Sequence, residues 1–347
     1  MGEESPRAPR TEVRHDLKAG FLREVTEDAA LASAYAPVRE DLERLQELLR
    51  DELAAHDPFL RELTSHVLQT RGKMVRPALA FLCARLAGGT GPHRDLVAAA
   101  VELIHVASLI HDDVIDEADR RRGHVTPNAR WGNHVAVLLG DYLFSKAFHM
   151  LARVGRDDVA SRVAFATVRM SQAELLQVKY GTTPHTDESV YFAIVEGKTA
   201  QLVASACAGG VLVGGGNGDL ADRLGEFGLH WGVAFQITDD TLDLTSDPEV
   251  LGKPIGSDVR GGKVTLPLIH ALRQADQEDR KRLEGWIRTG QLEPLRKALE
   301  RSGSLAYALD VARQHAQRAL QILEGLPPGP ERDSLATLTE FVVSRRH

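Results

Sequence analysis

Residues 104–123 read IHVASLIHDDVIDEADRRRG, an apolar run that turns acidic and then basic. Its apolar residues recur at three- and four-residue steps, the spacing of a helix rather than the alternation of a strand. On that helix His105, Ser108, Asp112 and Asp116 stand three, four and four positions apart and form a narrow polar stripe. Asp113 adds a carboxylate to the same turn, a crowding that repels itself unless cations are near. A polar stripe on a packed helix points to an internal cavity. A second segment, FQITDDTLD at 235–243, repeats the device with Gln236, Asp239, Asp240 and Asp243 following another apolar run. One such cluster is an ordinary acidic helix end. Two, each continuing an apolar helix, are not explained as solvated surface.

Outward from these segments the helical period holds from about Pro37 onward. It predicts helices over 59–69, 76–86, 96–115, 133–154, 158–179, 188–212, 219–244 and 266–275, with a weaker set over 278–345. Glycine and proline clusters fall between these stretches, and β-branched residues do not gather as strands require. The prediction is an all-α chain with a loose tail over residues 1–25 and one large helical domain over 26–347. At 43% hydrophobic and 26% charged, the composition excludes extensive disorder, and a net charge of -7 argues against a nucleic-acid-binding role. The polar start reads as neither a signal peptide nor an anchor. The apolar run Leu96 to Ile110 is too short to span a bilayer, so no integral membrane segment is expected. Cys83 and Cys207 lie in apolar helical stretches and build neither a disulfide framework nor a thiolate zinc site, which fits a reducing cytoplasm.

Clustered carboxylates need cations, and an all-oxygen donor set suits magnesium, which keeps water and is completed by substrate phosphates. The calcium loop spacing of an EF-hand is absent from both clusters. A diphosphate substrate follows, and it needs donors. Arg120, Arg121 and Arg122 follow Asp116 closely, and guanidinium forks match phosphate oxygens. Lys73, Arg76, Lys198, Lys253 and Lys263 stand beside glycines or at helix boundaries. Each is singly the usual solvated charge; together they form a candidate anion site. His105 lies on the aspartate stripe and is a candidate for touching substrate, whereas His111 lies off it and reads as structural.

The ordered motifs GKMVRP at 72–77, IHVASLIHDDVID at 104–116, DRRRG at 119–123, GDYL at 140–143, GKTA at 197–200, FQITDDTLD, LGKPIGSD at 251–258 and GKVTLPLIHA at 262–271 resemble the trans-isoprenyl diphosphate synthases, or polyprenyl synthetases. The resemblance runs along nearly the whole chain from Pro37. It implies a single helical bundle around a deep central cavity, a homodimer, and three magnesium ions per active site. Carried over by position, it implies Asp112, Asp116 and Asp239 as direct metal ligands, with Asp113, Asp240 and Asp243 supporting through water or outer contacts. It implies Lys73, Arg76, His105 and Arg122 on isopentenyl diphosphate. Arg121, Lys198 and Lys263, joined by Lys253, fall on the allylic diphosphate, and Thr199 and Gln236 on the reacting carbons.

The chain departs from the family pattern at Met74, which removes a basic group expected near the homoallylic site, at residues 123–127, and at Gly261. In the family, bulky residues upstream of the first motif limit the product. Ala107 and Ser108 are small, and the next positions, Leu103 and Ile104, carry no ring. A medium or long product is therefore expected, with geranylgeranyl diphosphate as the alternative. A class I terpene cyclase is the nearest rival, but Asp243 stands where its second motif needs Ser or Thr. A non-catalytic partner subunit is the other rival, and such subunits usually lack one acid cluster.

Overall fold

The computed structural model describes residues 29–69, 72–89, 91, 93–180, 184–245 and 256–345. The expected tail, residues 1–25, and Lys253 lie outside them.

Helix α1 (Ala29–Tyr35) and a 3-10 turn (Ala36–Val38) lead into α2 (Arg39–Glu52), α3 (Pro58–Gln69), α4 (Val75–Leu86) and α5 (His93–Ile115). A short antiparallel hairpin follows, β1 (Arg120–Arg121) with β2 (His124–Val125). Then come α6 (Pro127–Trp131), α7 (Asn133–Val154), α8 (Asp157–Tyr180) and α9 (Glu188–Val195). A π-helical turn (Glu196–Ala200) runs from α9 into α10 (Gln201–Val213), and α11 (Gly218–Thr245) follows. The remainder is α12 (Ser257–Arg260), α13 (Leu266–Gln274), α14 (Gln277–Thr289), α15 (Leu292–Arg301), α16 (Ser304–Glu324) and α17 (Pro330–Ser344). The all-α expectation holds, and the weak C-terminal pattern resolves into four helices.

Helix α10 sits at the centre. Every residue from Leu202 to Leu212 is buried, as an apolar sequence without a polar face demands. It packs on α11, α4, α8 and α5, while α5 lies along α7 and α11 along α16. Two apolar clusters result, and α11 serves both: Leu224, Phe227 and Ala234 face the larger, Val233, Ile237 and Leu244 the smaller. In the larger core Cys83 of α4 is hydrogen-bonded to Cys207 of α10, both thiols are free, and burial pushes Cys83 up. Buried Asp41 of α2 ties the same region together, meeting Arg85 of α4 at 2.6 Å and Arg94 of α5 at 2.9 Å.

Helix α7, a different segment from the 96–110 run, is long and apolar enough to cross a membrane by length and composition. One face of it is spent on α5 packing, with Leu139, Leu143, Ala147 and Met150 buried. On its outer face Val137 and Leu138 are exposed, and along the next helix, α8, so are Phe165, Val168, Leu175 and Val178.

Candidate active site

The two aspartate sets lie at the C-terminal ends of α5 and α11. On the first, Asp112 Oδ2 lies 3.2 Å from Lys198 Nζ, Asp113 Oδ1 accepts from Arg121 Nε at 2.8 Å, and Asp116 Oδ2 accepts from Lys263 Nζ at 2.9 Å. On the second, Asp239 faces Arg345 Nη2 at 3.5 Å. Asp240 accepts from the Tyr191 hydroxyl and from Gln236 Nε2, both at 2.7 Å. Asp243 accepts from Ser257 Oγ at 2.8 Å and from the Ser257 and Asp258 amides at 3.3 and 3.0 Å. Lys263 links the sets only through Asp258: its ammonium also lies 3.9 Å from Asp258 Oδ1, and the Asp258 amide donates to Asp243. Burial would lower Lys263, but Asp258, Asp116 and Asp112 outweigh it and hold the ammonium above its ordinary range. Burial, then the charge of Asp258, pushes Asp240 up to about 8 against the bonds from Tyr191 and Gln236.

Lys198 and Thr199 lie on the π turn, where one extra residue per turn re-aims side chains. Lys198 Nζ also pairs with Glu174 Oε1 of α8 at 2.5 Å, and Thr199 Oγ1 donates to Gln236 Oε1 at 2.8 Å. Gly197 makes this approach possible: a Cβ there would lie 2.7 Å from the Arg169 carbonyl oxygen and 2.8 Å from Ala173 Cβ, both on α8.

The hairpin returns the arginines toward α5. Its two-residue turn, Arg122 and Gly123, has φ of +50° and +79°, the paired positive values that suit the twist of a tight hairpin. The Arg122 guanidinium lies on bare Gly72, whose Cβ would stand 2.1 Å from it. Arg76 is closely surrounded, with Nε buried and unpartnered among the described residues. Burial, opposed by Glu102 and reinforced by Arg122, brings Arg76 down to about 10. His105 is held well below its ordinary value by burial and then by Arg76, Arg122 and Arg121, so its imidazole is neutral among cations. Lys73 is exposed, and its carbonyl accepts from Tyr35 at 2.8 Å. Met74, which stands where the family pattern has a basic group, is 2% exposed and packs in the main core at φ +53°.

The donor chemistry fits magnesium. Asp112, Asp116 and Asp239 are bound only by cationic side chains among the described contacts, whereas both carboxylate oxygens of Asp240 and Asp243 are taken by protein donors. Carboxylate oxygens of this kind suit an ion held through one or two carboxylates and completed by water and substrate phosphates.

The sequence model of the polyprenyl synthetase family matches residues 57–301. This chain belongs to that family. It is 37% identical over 314 residues to an all-trans-nonaprenyl-diphosphate synthase (geranyl-diphosphate specific) of Rhodobacter capsulatus, covering 89% of this chain and 96% of that protein. The octaprenyl diphosphate synthase of Escherichia coli K12 is 34% identical, covering 88% of this chain and 96% of its own. Among solved structures, a polyprenyl synthase from Caulobacter crescentus complexed with calcium and isoprenyl diphosphate has a TM-score of 0.86 at 33% identity, covering 91% of this chain and 98% of that one.

In this polyprenyl synthetase the stripe is closed at Asp112, which is 9% exposed, and open at Asp116. His105 and Ser108 are half-buried, whereas Ile104 and Ala107 are fully buried and Leu103 is 2% exposed. The pair of small residues therefore divides: Ser108 is partly buried, its hydroxyl donating to the His105 carbonyl at 2.8 Å, and Ala107 lies fully in the core. Sequence reasoning missed Glu174, Tyr191, Asp258 and Arg345. Asp258 stood inside the quoted LGKPIGSD motif. Glu174 and Tyr191 lie on helices, and Arg345 just past the end of α17, where the apolar period gives no sign that one polar residue reaches a distant charged partner.

Proposed function

We propose that this polyprenyl synthetase joins an allylic diphosphate to isopentenyl diphosphate and releases diphosphate, giving a medium-to-long polyprenyl diphosphate. The observation that carries the reading is Lys263 standing between Asp116 of the first aspartate set and Asp258, which is bonded to Asp243 of the second. Magnesium, held by Asp112, Asp116 and Asp239, would neutralise charge on the departing diphosphate. Lys198 beside Asp112, Lys263 beside Asp116 and Arg121 on neighbouring Asp113 would add cationic donors where that charge develops. Arg76, Arg122 and neutral His105 form a second basic group, suited to orient isopentenyl diphosphate; Lys73 lies beside them in sequence. Thr199 and Gln236, bonded to each other and, through Gln236, to Asp240, would line the reacting carbons. No side-chain nucleophile is needed: the allylic carbon–oxygen bond ionises, the homoallylic double bond attacks, and a proton leaves to the released diphosphate. Closed Leu103, Ile104 and Ala107 with small Ser108 leave no aromatic plug on this helix.

We read the exposed apolar faces of α7 and α8 as the contact with a second copy of the chain, and the free buried thiols as fitting the cytoplasm. Two relatives, 32% and 34% identical, are named component 2 of a heptaprenyl diphosphate synthase, so the isolated chain is the material to test. Purified protein with magnesium, an allylic primer and isopentenyl diphosphate should release diphosphate, and mass analysis should show a series of prenyl diphosphates. Absence of diphosphate release by the isolated chain would overturn the reading.

A further inference from the structure

Glu174 is an acidic side chain at the mouth that lies in neither aspartate motif. It comes from α8, while Asp112 comes from α5 and Lys198 from the π turn, so three separate elements converge on one ammonium. Lys198 Nζ lies 2.5 Å from Glu174 Oε1 and 3.2 Å from Asp112 Oδ2. Both carboxylates are largely buried, at 25% and 11% side-chain exposure, so neither is dissolved in bulk water. An ammonium has three donors and can serve two acceptors at once. The shorter contact goes to Glu174.

The backbone is arranged for this pairing. Ala173, the neighbour of Glu174, lies directly under Gly197, the neighbour of Lys198, at a distance that no Cβ at position 197 would allow. The close approach of α8 to the π turn is therefore built by the absence of a side chain, and it sets Glu174 beside Lys198.

We propose that Glu174 is a positioning residue for Lys198, anchoring the ammonium so that it is shared with Asp112 rather than held by Asp112 alone. The inference rests on Asp112 being a cation ligand. With one carboxylate in reach, Lys198 would give Asp112 its whole attraction, and an incoming cation would have to displace it. With two, Lys198 keeps a partner when Asp112 turns to a cation, and it stays aimed at an arriving diphosphate instead of swinging into solvent. Glu174 thereby lowers the cation concentration that the site requires without touching cation or substrate.

The test is calorimetric binding of inorganic pyrophosphate across a magnesium series, with wild type, Glu174→Gln, Lys198→Ala and the double variant, each checked for an intact melting transition. Glu174→Gln should raise the magnesium needed for half-saturation about tenfold, the size of one freed competitor. Glu174→Asp should recover part of the loss. In the Lys198→Ala background Glu174→Gln should add nothing, since the competitor is gone. An unchanged magnesium requirement in Glu174→Gln overturns the proposal. A shift of equal size in both backgrounds also overturns it, because Glu174 would then act on the cation itself. Wild type that binds no pyrophosphate at any magnesium concentration would instead sink the active-site reading beneath it.

Discussion

Asp112 and Asp239 differ from Asp243 in what surrounds them, although all three sit in matching motifs. The first two meet only cationic side chains, while Asp243 accepts two amides and a hydroxyl from the start of α12. Asp112→Asn and Asp239→Asn should therefore lower kcat by a factor on the order of 10² or more with little change in Tm. Asp243→Asn should lower Tm as well, since charge-assisted bonds are worth about 1.5–3 kcal/mol. Parallel turnover and melting measurements separate the two patterns. Product length is also decided at this scale. Ser108→Phe should shorten the prenyl series seen by mass analysis. Ala107→Phe should mainly destabilise, because filling a closed core costs about 1–3 kcal/mol. The polar stripe that frames these residues was legible from periodicity. The split between Ala107 and Ser108 was not, since adjacent small residues differ only in which neighbours close over them. Tyr191 was illegible for a related reason: it lies 49 positions from its partner Asp240, and such pairings leave no local pattern.

Among elements, the long helices were readable because their apolar faces repeat at the helical period, and α7 begins and ends where the pattern does. The hairpin was not, because two-residue strands are too short to alternate. The π turn was hidden inside a helical run for the opposite reason, as it disturbs the period by only one residue. The contact of α11 with α16 carries a titrating element. His230 Nδ1 and His315 Nδ1 lie 3.0 Å apart, with Phe192 of α9 stacked on His315. Glu226 and Arg318 also act on the pair. Burial, then His230 and Arg318, brings His315 down to about 4. A histidine with a depressed folded pKa is bound more tightly by protons in the unfolded chain. Its contribution is complete above pH about 6.5 and is lost as pH falls toward 4. For a half-exposed pair the loss is on the order of 1 kcal/mol after solvent screening. Wild type should lose Tm over that interval, and His315→Gln should show a flatter profile in pH-stepped thermal melts.

For the whole molecule, most of the large apolar side chains left exposed among the described residues lie on α7 and α8. Leu138 on α7 and Phe165 on α8 are 55% and 54% exposed, more than isolated surface residues of this size require. If these faces meet a second copy as proposed, wild type should sediment as a dimer and Leu138→Glu with Phe165→Glu as a monomer, without loss of helical signal. The same scale shows another consequence of the aspartate mouth. Asp112, Asp113, Asp116 and Asp239 each face a cation supplied by the chain itself. The fold thus carries its own counter-ions, and its integrity does not hang on an added metal. Melting in excess chelator should match melting in magnesium to within about 2 °C, whereas magnesium with pyrophosphate should raise it. Stripped of divalent ions, the protein should therefore keep its fold, the chain's own lysines and arginines standing in for the absent metal.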